Sequence, residues 1–206
     1  MSLRGGVIDD EAILRERNVL KRLLRRLTPR NDILFMPPHP QTILGIDPGF
    51  GRMGFGAISL DHGIVRLIDY GVITTKSTDT FDERLVQIAE DIRALLKEHK
   101  PDLIGIEKLF FGKSSTTAMY VSEVRGVVRL LCAEARVPIV EFTPAQIKKT
   151  TTGDGKANKQ GMQKMVQHLL GLKLIPKPDD AADALAVALT AVGSTNRALA
   201  KKTRII

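Results

Sequence analysis

The chain has 206 residues, 43% of them hydrophobic, enough for one full core plus an appendage. Its single cysteine, Cys132, rules out an internal disulfide and reads as a small apolar core residue. No uninterrupted run approaches the ~20 apolar residues of a membrane span, and nothing resembles a signal peptide, so a cytoplasmic location is expected.

The net charge is +8, but it sits at the ends: residues 1–41 carry +3, residues 197–206 carry +4, and residues 42–196 only +1. The overall charge is therefore weak evidence for a polyanionic partner, and local clusters are the better guide.

In chain order, residues 10–28 suit an amphipathic helix with Ile13, Leu20, Leu24 and Leu27 on one side and arginines over the rest. The helix ends at Thr28-Pro29, and the Pro-rich run from Met36 to Pro40 separates it from the body. A basic helix of this kind suits a nucleic acid or a partner. The simpler reading is an accessory segment, or an upstream extension ahead of a start at Met36. The expected division is thus an extension over 1–41, one domain over 42–194 and a basic tail over 195–206.

Thr42–Asp47 reads as a short apolar strand followed by a Pro-Gly turn. Met53–Leu60 and Ile64–Thr75 are strand-like, joined by Asp61-His62-Gly63 as a hairpin. Thr80 and Glu83 match a capping box, and helical periodicity then runs from Leu85 to Leu96 up to Pro101-Asp102. Leu103–Glu107 is a second buried strand. A helix of roughly twenty residues follows, around Thr117–Ala135, and then a fifth strand over Pro138–Phe142. Three further helices are expected over 143–150, 158–170 and 180–192, with Gly171 closing the second of them. Tight turns force the first three strands antiparallel, and helical crossovers make the later ones parallel. The fold class is α/β, a mixed five-stranded sheet flanked by helices.

Four acids stand out against this apolar pattern. Asp47 and Glu107 each end a buried strand, where neighbouring strand ends form a ligand crevice. Asp180 and Asp183 lie at i and i+3 on one helical face, among alanines small enough to let the helix lie close to the sheet. Isolated anions are costly to bury, and clustered ones raise each other's pKa unless a cation neutralises them. Together the four suit hard divalent ions with oxygen ligands, two of which can activate water and stabilise a leaving 3′ oxygen. Asp179, after Pro178, reads instead as the helix N-cap. The four histidines are too scattered to bind zinc, and Ser114, Ser115, Thr116 and Thr117 have no adjacent base, so a helix cap suits them better.

Lys148, Lys149, Lys156, Lys159 and Lys164 concentrate around Gly153-Asp154-Gly155, a phosphate-contacting loop in character. Phe110 and Phe111, followed by Lys113, are candidate stacking platforms for unpaired bases, with one of the two expected in the core.

At these motifs the sequence resembles the RuvC family of Holliday-junction resolvases, a branch of the ribonuclease H-like superfamily. The resemblance rests on Ile43-Leu44-Gly45-Ile46-Asp47-Pro48-Gly49, on Ile106-Glu107-Lys108-Leu109-Phe110-Phe111, on the stretch from Thr143 to Lys149, and on that from Asp180 to Ala186. It implies that Asp47, Glu107, Asp180 and Asp183 hold two catalytic Mg²⁺ ions, with Mn²⁺ as the alternative. It further implies that Phe110 stacks near the junction centre and that Lys148 and Lys159 support catalysis or hold the scissile phosphate. The function implied is resolution of four-way DNA junctions by paired symmetric nicks in recombination and repair. A homodimer working alongside RuvA and RuvB belongs to the same implication. An RNA-directed nuclease of the same fold and a non-catalytic nucleic-acid-binding module are the alternatives. Actin-like ATPases share the first Gly-x-Asp-x-Gly motif but need a second lobe, for which the chain is too short.

Overall fold

A computed structural model describes residues 40–109 and 115–195. The expected helix over 10–28, the Pro-rich run before Pro40 and nearly all of the basic tail lie outside the described residues.

All five expected strands form: β1 (Gln41–Asp47), β2 (Arg52–Asp61), β3 (Ile64–Thr74), β4 (Leu103–Glu107) and β5 (Ile139–Phe142). They make one sheet in the order β3-β2-β1-β4-β5. The β3-β2-β1 half is antiparallel, and β1-β4 and β4-β5 are parallel. The helices are α1 (Phe81–His99), α2 (Ser115–Glu134), α3 (Pro144–Thr152), α4 (Lys159–Leu169) and α5 (Asp179–Ala191).

Local chemistry explains the element ends. His62 and Gly63, with φ of 47° and 79°, form the two-residue hairpin loop whose left-handed backbone matches strand twist. Thr80 caps α1 with a reciprocal bond to Glu83, and Thr143 caps α3 in the same way with Gln146. α1 stops at Lys100, whose left-handed backbone returns its N–H to the Leu96 carbonyl, one residue ahead of the expected proline stop. α4 closes at Gly171: its N–H bonds the His168 carbonyl, and the Leu172 N–H bonds that of Gln167.

The period-2 alternation of β1 divides the core into two layers. Leu44 and Ile46 face α1 and α2, joined there by Ile88, Ile92, Ile104, Ile106, Val124 and Val128. Ile43, Gly45 and Asp47 face α5. On that side Ile43, Leu103, Phe142, Ile147 and Met162 surround the helix, ten of whose residues are buried.

Candidate metal centre

Glycine brings α5 onto the sheet. Gly45 is in register with Gly56 on β2 and with Gly105 on β4, so three glycines cross the sheet in a row. A Cβ on Gly45 would lie 2.1 Å from the Ala184 carbonyl oxygen, and one on Gly56 would meet Leu185. A Cβ on Gly54 would lie 2.0 Å from the Asp180 carbonyl oxygen, so β2 also touches the first turn of the helix. The alanines expected to permit close approach do so; the strand glycines are the other half of that contact.

The same alternation places the acids. Residues 43, 45 and 47 of β1 run parallel to residues 103, 105 and 107 of β4, all on the α5 side. Asp47 and Glu107 therefore stand at adjacent strand ends beneath α5, whose Asp180 and Asp183 occupy its first turn and a half. All four expected acids are brought to one side of the sheet.

Their electrostatics follow from that placement. Burial, followed by the charges of Glu107, Asp183 and Asp180, pushes the Asp47 carboxyl up to about 7. Glu107 is also raised, first by burial and then by Asp183, with Lys148 and Arg125 opposing. Asp183 is raised by burial and by its acidic neighbours against the pull of Lys159.

Two cations lean into the site. Lys159, the first residue of α4, lies 2.7 Å from Asp179 Oδ2 and 3.2 Å from Asp183 Oδ2. Those hydrogen bonds, led by the one to Asp179, hold it above the ordinary lysine range. Arg52, at the start of β2, lies 2.7 Å from Asp180 Oδ2 as an ion pair, although that oxygen accepts no aligned hydrogen bond. Glu107, Asp183, Lys148 and Lys159 line a cleft of about 210 Å³ whose apolar wall is Pro144, Ile147 and Met162.

Among the described residues, no three His, Cys, Asp or Glu side chains are drawn together tightly enough to grip an ion. The donor set nevertheless fits a hard cation. It consists of oxygens only, it is partly desolvated, and the buried Asp183 Oδ1 has no hydrogen-bond partner. Asp47, Glu107 and Asp183 stay raised despite the cations beside them, and a divalent ion would supply the missing positive charge.

Asp179 is a correction. Pro178 occupies the N-cap position without a side-chain bond, and Asp179 is the exposed first residue of α5, paired with Lys159. The local rule of an acid after proline was outweighed by a lysine supplied from another helix. Lys149 and Lys156 are exposed on and after α3 and do not line the cleft. Phe110, Phe111 and Lys113 lie outside the described residues. Cys132 is buried among far-face apolar residues, as expected.

Sequence reasoning passed over Arg52, Arg125 and Glu141. Glu141 carried the same signal as Asp47, a charge inside an apolar strand. Arg125 sits between the core residues Val124 and Val128. No helix among the described residues is long and apolar enough to cross a membrane.

Comparison with known proteins places the chain among relatives of known kind. The family "Crossover junction endodeoxyribonuclease RuvC" matches residues 43–191. A crossover junction endodeoxyribonuclease RuvC from Gloeobacter violaceus is 50% identical over 149 residues, covering 72% of this chain and 86% of that protein. The Thermus thermophilus RuvC structure superposes with a TM-score of 0.71 at 31% identity, over 76% of this chain and 96% of that one. T. thermophilus RuvC in complex with Holliday junction substrate superposes at 0.69 with 29% identity, over the same shares.

Proposed function

The chain belongs to the RuvC family of crossover junction endodeoxyribonucleases, and from that premise we propose how its residues resolve a Holliday junction. It is a structure-specific endonuclease of recombination and repair, dependent on divalent metal as its family is.

Asp47, Glu107, Asp180 and Asp183 hold the metal, and Mg²⁺ suits their all-oxygen set better than softer ions do. When bound, a pair of such ions supplies an activated water and stabilises the leaving 3′ oxygen of the phosphodiester. Asp47 and Glu107 orient their carboxylates from strand ends, which move little. Asp180 and Asp183 are carried by a helix wedged against the strand glycines. Lys159 balances the negative charge of Asp183 and stands where a scissile phosphate would approach. Lys148, across the cleft from it, opposes the charge of Glu107 and screens the site for a polyanion.

Phe110, three residues after Glu107, is suited to stack on a base at the junction centre, with one of the Phe110–Phe111 pair expected in the core. Lys113, Lys149 and Lys156 extend the phosphate-binding surface. Two copies related by a two-fold axis match the symmetry of a four-way junction, so a homodimer making paired nicks is the working unit. RuvA and RuvB are its expected companions, and the cytoplasm its expected location. Residues 42–194 form the nuclease domain, with 1–41 and 195–206 as accessory segments.

The observation that carries this reading is the convergence of four acids from β1, β4 and α5, with the buried Asp183 Oδ1 left unpartnered. Incubating the protein with a mobile four-way junction and with a linear duplex, with and without Mg²⁺, tests it. Paired nicks confined to the junction and to Mg²⁺ are expected. Asp47→Asn and Glu107→Gln should each abolish cleavage while junction binding persists. Normal cutting by either variant would remove that acid from the site.

A further inference from the structure

Resting on the reading of Glu107 as a metal ligand, we propose that Arg125 is a positioning residue that sets Glu107 from the opposite face of the sheet.

Arg125 lies in α2, whose Val124, Val128, Leu131 and Cys132 pack on the face of the sheet away from the metal centre. It is only 8% exposed. A guanidinium is rarely buried to that degree unless its donors are matched. Its Nη1 donates to the main-chain carbonyl of Glu107, and its Nη2 donates to Glu141 Oε1 on β5. Arg129, one turn further along α2, reaches the same oxygen at 3.0 Å.

The peptide that follows Glu107 is therefore tied at both ends. Its carbonyl accepts from Arg125, and its N–H, that of Lys108, donates to the Phe142 carbonyl at 2.7 Å. A peptide unit is planar, so fixing both ends fixes its orientation, and with it the ψ angle of Glu107. That angle helps to set where the Glu107 side chain points at the sheet's edge.

Arginine suits the task because the fork is rigid. Anchoring one arm on Glu141 determines where the other arm aims. Lysine keeps the charge but presents a single flexible donor centre, so it cannot hold both partners in the same geometry. Glu141 faces α2 because its neighbours Val140 and Phe142 pack towards α5. Its charge inside an apolar strand is thereby accounted for.

The test uses Arg125→Lys, Glu141→Leu and Glu107→Gln in the full chain. Four quantities are measured: thermal melting, junction binding without metal, Mn²⁺ affinity by calorimetry without DNA, and single-turnover cleavage. R125K should melt near the wild type and bind the junction normally. Its Mn²⁺ affinity and cleavage rate should each fall by about 10- to 100-fold, the range for partners that orient metal ligands from behind. Adding R125K to E107Q should weaken Mn²⁺ binding no further than E107Q alone, because both act through one carboxylate.

A folded R125K with wild-type Mn²⁺ affinity overturns the proposal. So does a loss of metal-free junction binding, which would make Arg125 a DNA contact. Should R125K fail to fold, E141L removes the anchor from a partly exposed position, and wild-type Mn²⁺ affinity there overturns the proposal equally. Normal cleavage and Mn²⁺ affinity in E107Q would instead refute the role of Glu107 itself, whatever the arginine variants do.

Discussion

The two faces of the sheet are built on opposite principles. The α1/α2 face is filled by branched side chains such as Leu44, Ile46, Ile88, Ile92 and Ile104. The α5 face is emptied of side chains along its centre: the helix carbonyls of Ala184 and Asp180 lie against Gly45 and Gly54, and the side chains of Leu185 and Val187 settle over Gly56 and Gly105. Side chains can shift rotamers to absorb an error, whereas two backbones in contact have nothing to yield. The four acids lie on the unyielding face. Four carboxylates from three elements keep a common geometry only if the elements themselves cannot slide.

The largest break in this contrast comes from one methyl group. Gly45→Ala puts a Cβ 2.1 Å from the Ala184 carbonyl oxygen and 2.5 Å from the Ala188 nitrogen. It should cost about 3 kcal/mol or more in denaturant melts and lower cleavage with it. If it proves neutral, backbone contact is not what holds α5.

Asp47→Asn sharpens the electrostatic side. An unfolded Asp ionises near 3.8, whereas Asp47 in the folded chain keeps its proton up to about 7. The folded state thus binds more protons between those values, so metal-free stability falls as pH rises through that window. The loss is up to ~4 kcal/mol above the window. D47N should flatten the fall, leaving the metal-free variant more stable than the wild type at neutral pH. Added Mg²⁺ should restore stability to the wild type more than to D47N. Melting scans across pH, with and without Mg²⁺, check both expectations. An unchanged slope in D47N would show that Asp47 is not desolvated.

Lys159→Gln separates function from stability on the same face. The lysine is half exposed, so melting should barely change, while cleavage falls by about 100-fold through lost charge balance at Asp183 and the phosphate. Equal losses of fold and activity would make Lys159 a structural brace.

Ile92→Val is the mirror of Gly45→Ala, one methyl removed from the forgiving face. It should cost only about 1 kcal/mol and leave the cleavage rate unchanged. A cost matching that of Gly45→Ala would erase the distinction between the faces.

Much of this was legible beforehand. The hairpin turn and the first capping box follow from short-range rules, and they hold here at Asp61–Ile64 and Thr80; the capping box at Thr143 went unread. The four acids were legible because each interrupts an apolar pattern. Glu141 interrupts one too, but in a four-residue strand an acid also reads as a solvent-facing position. Asp179 was misplaced because capping is judged from neighbours in sequence, and its partner Lys159 is twenty residues away on another helix.

The sequence by itself determined which apolar strand residues are buried and that Asp47, Glu107, Asp180 and Asp183 share one side of the sheet. Burial is non-directional and follows local periodicity, so a single segment suffices to encode it. Only the tertiary structure decided which cation meets which anion: Arg52 with Asp180, Lys159 with Asp183, and Arg125 behind Glu107. Those pairings depend on distance and direction between elements far apart in the chain, set by how closely α5 and α2 pack against the sheet.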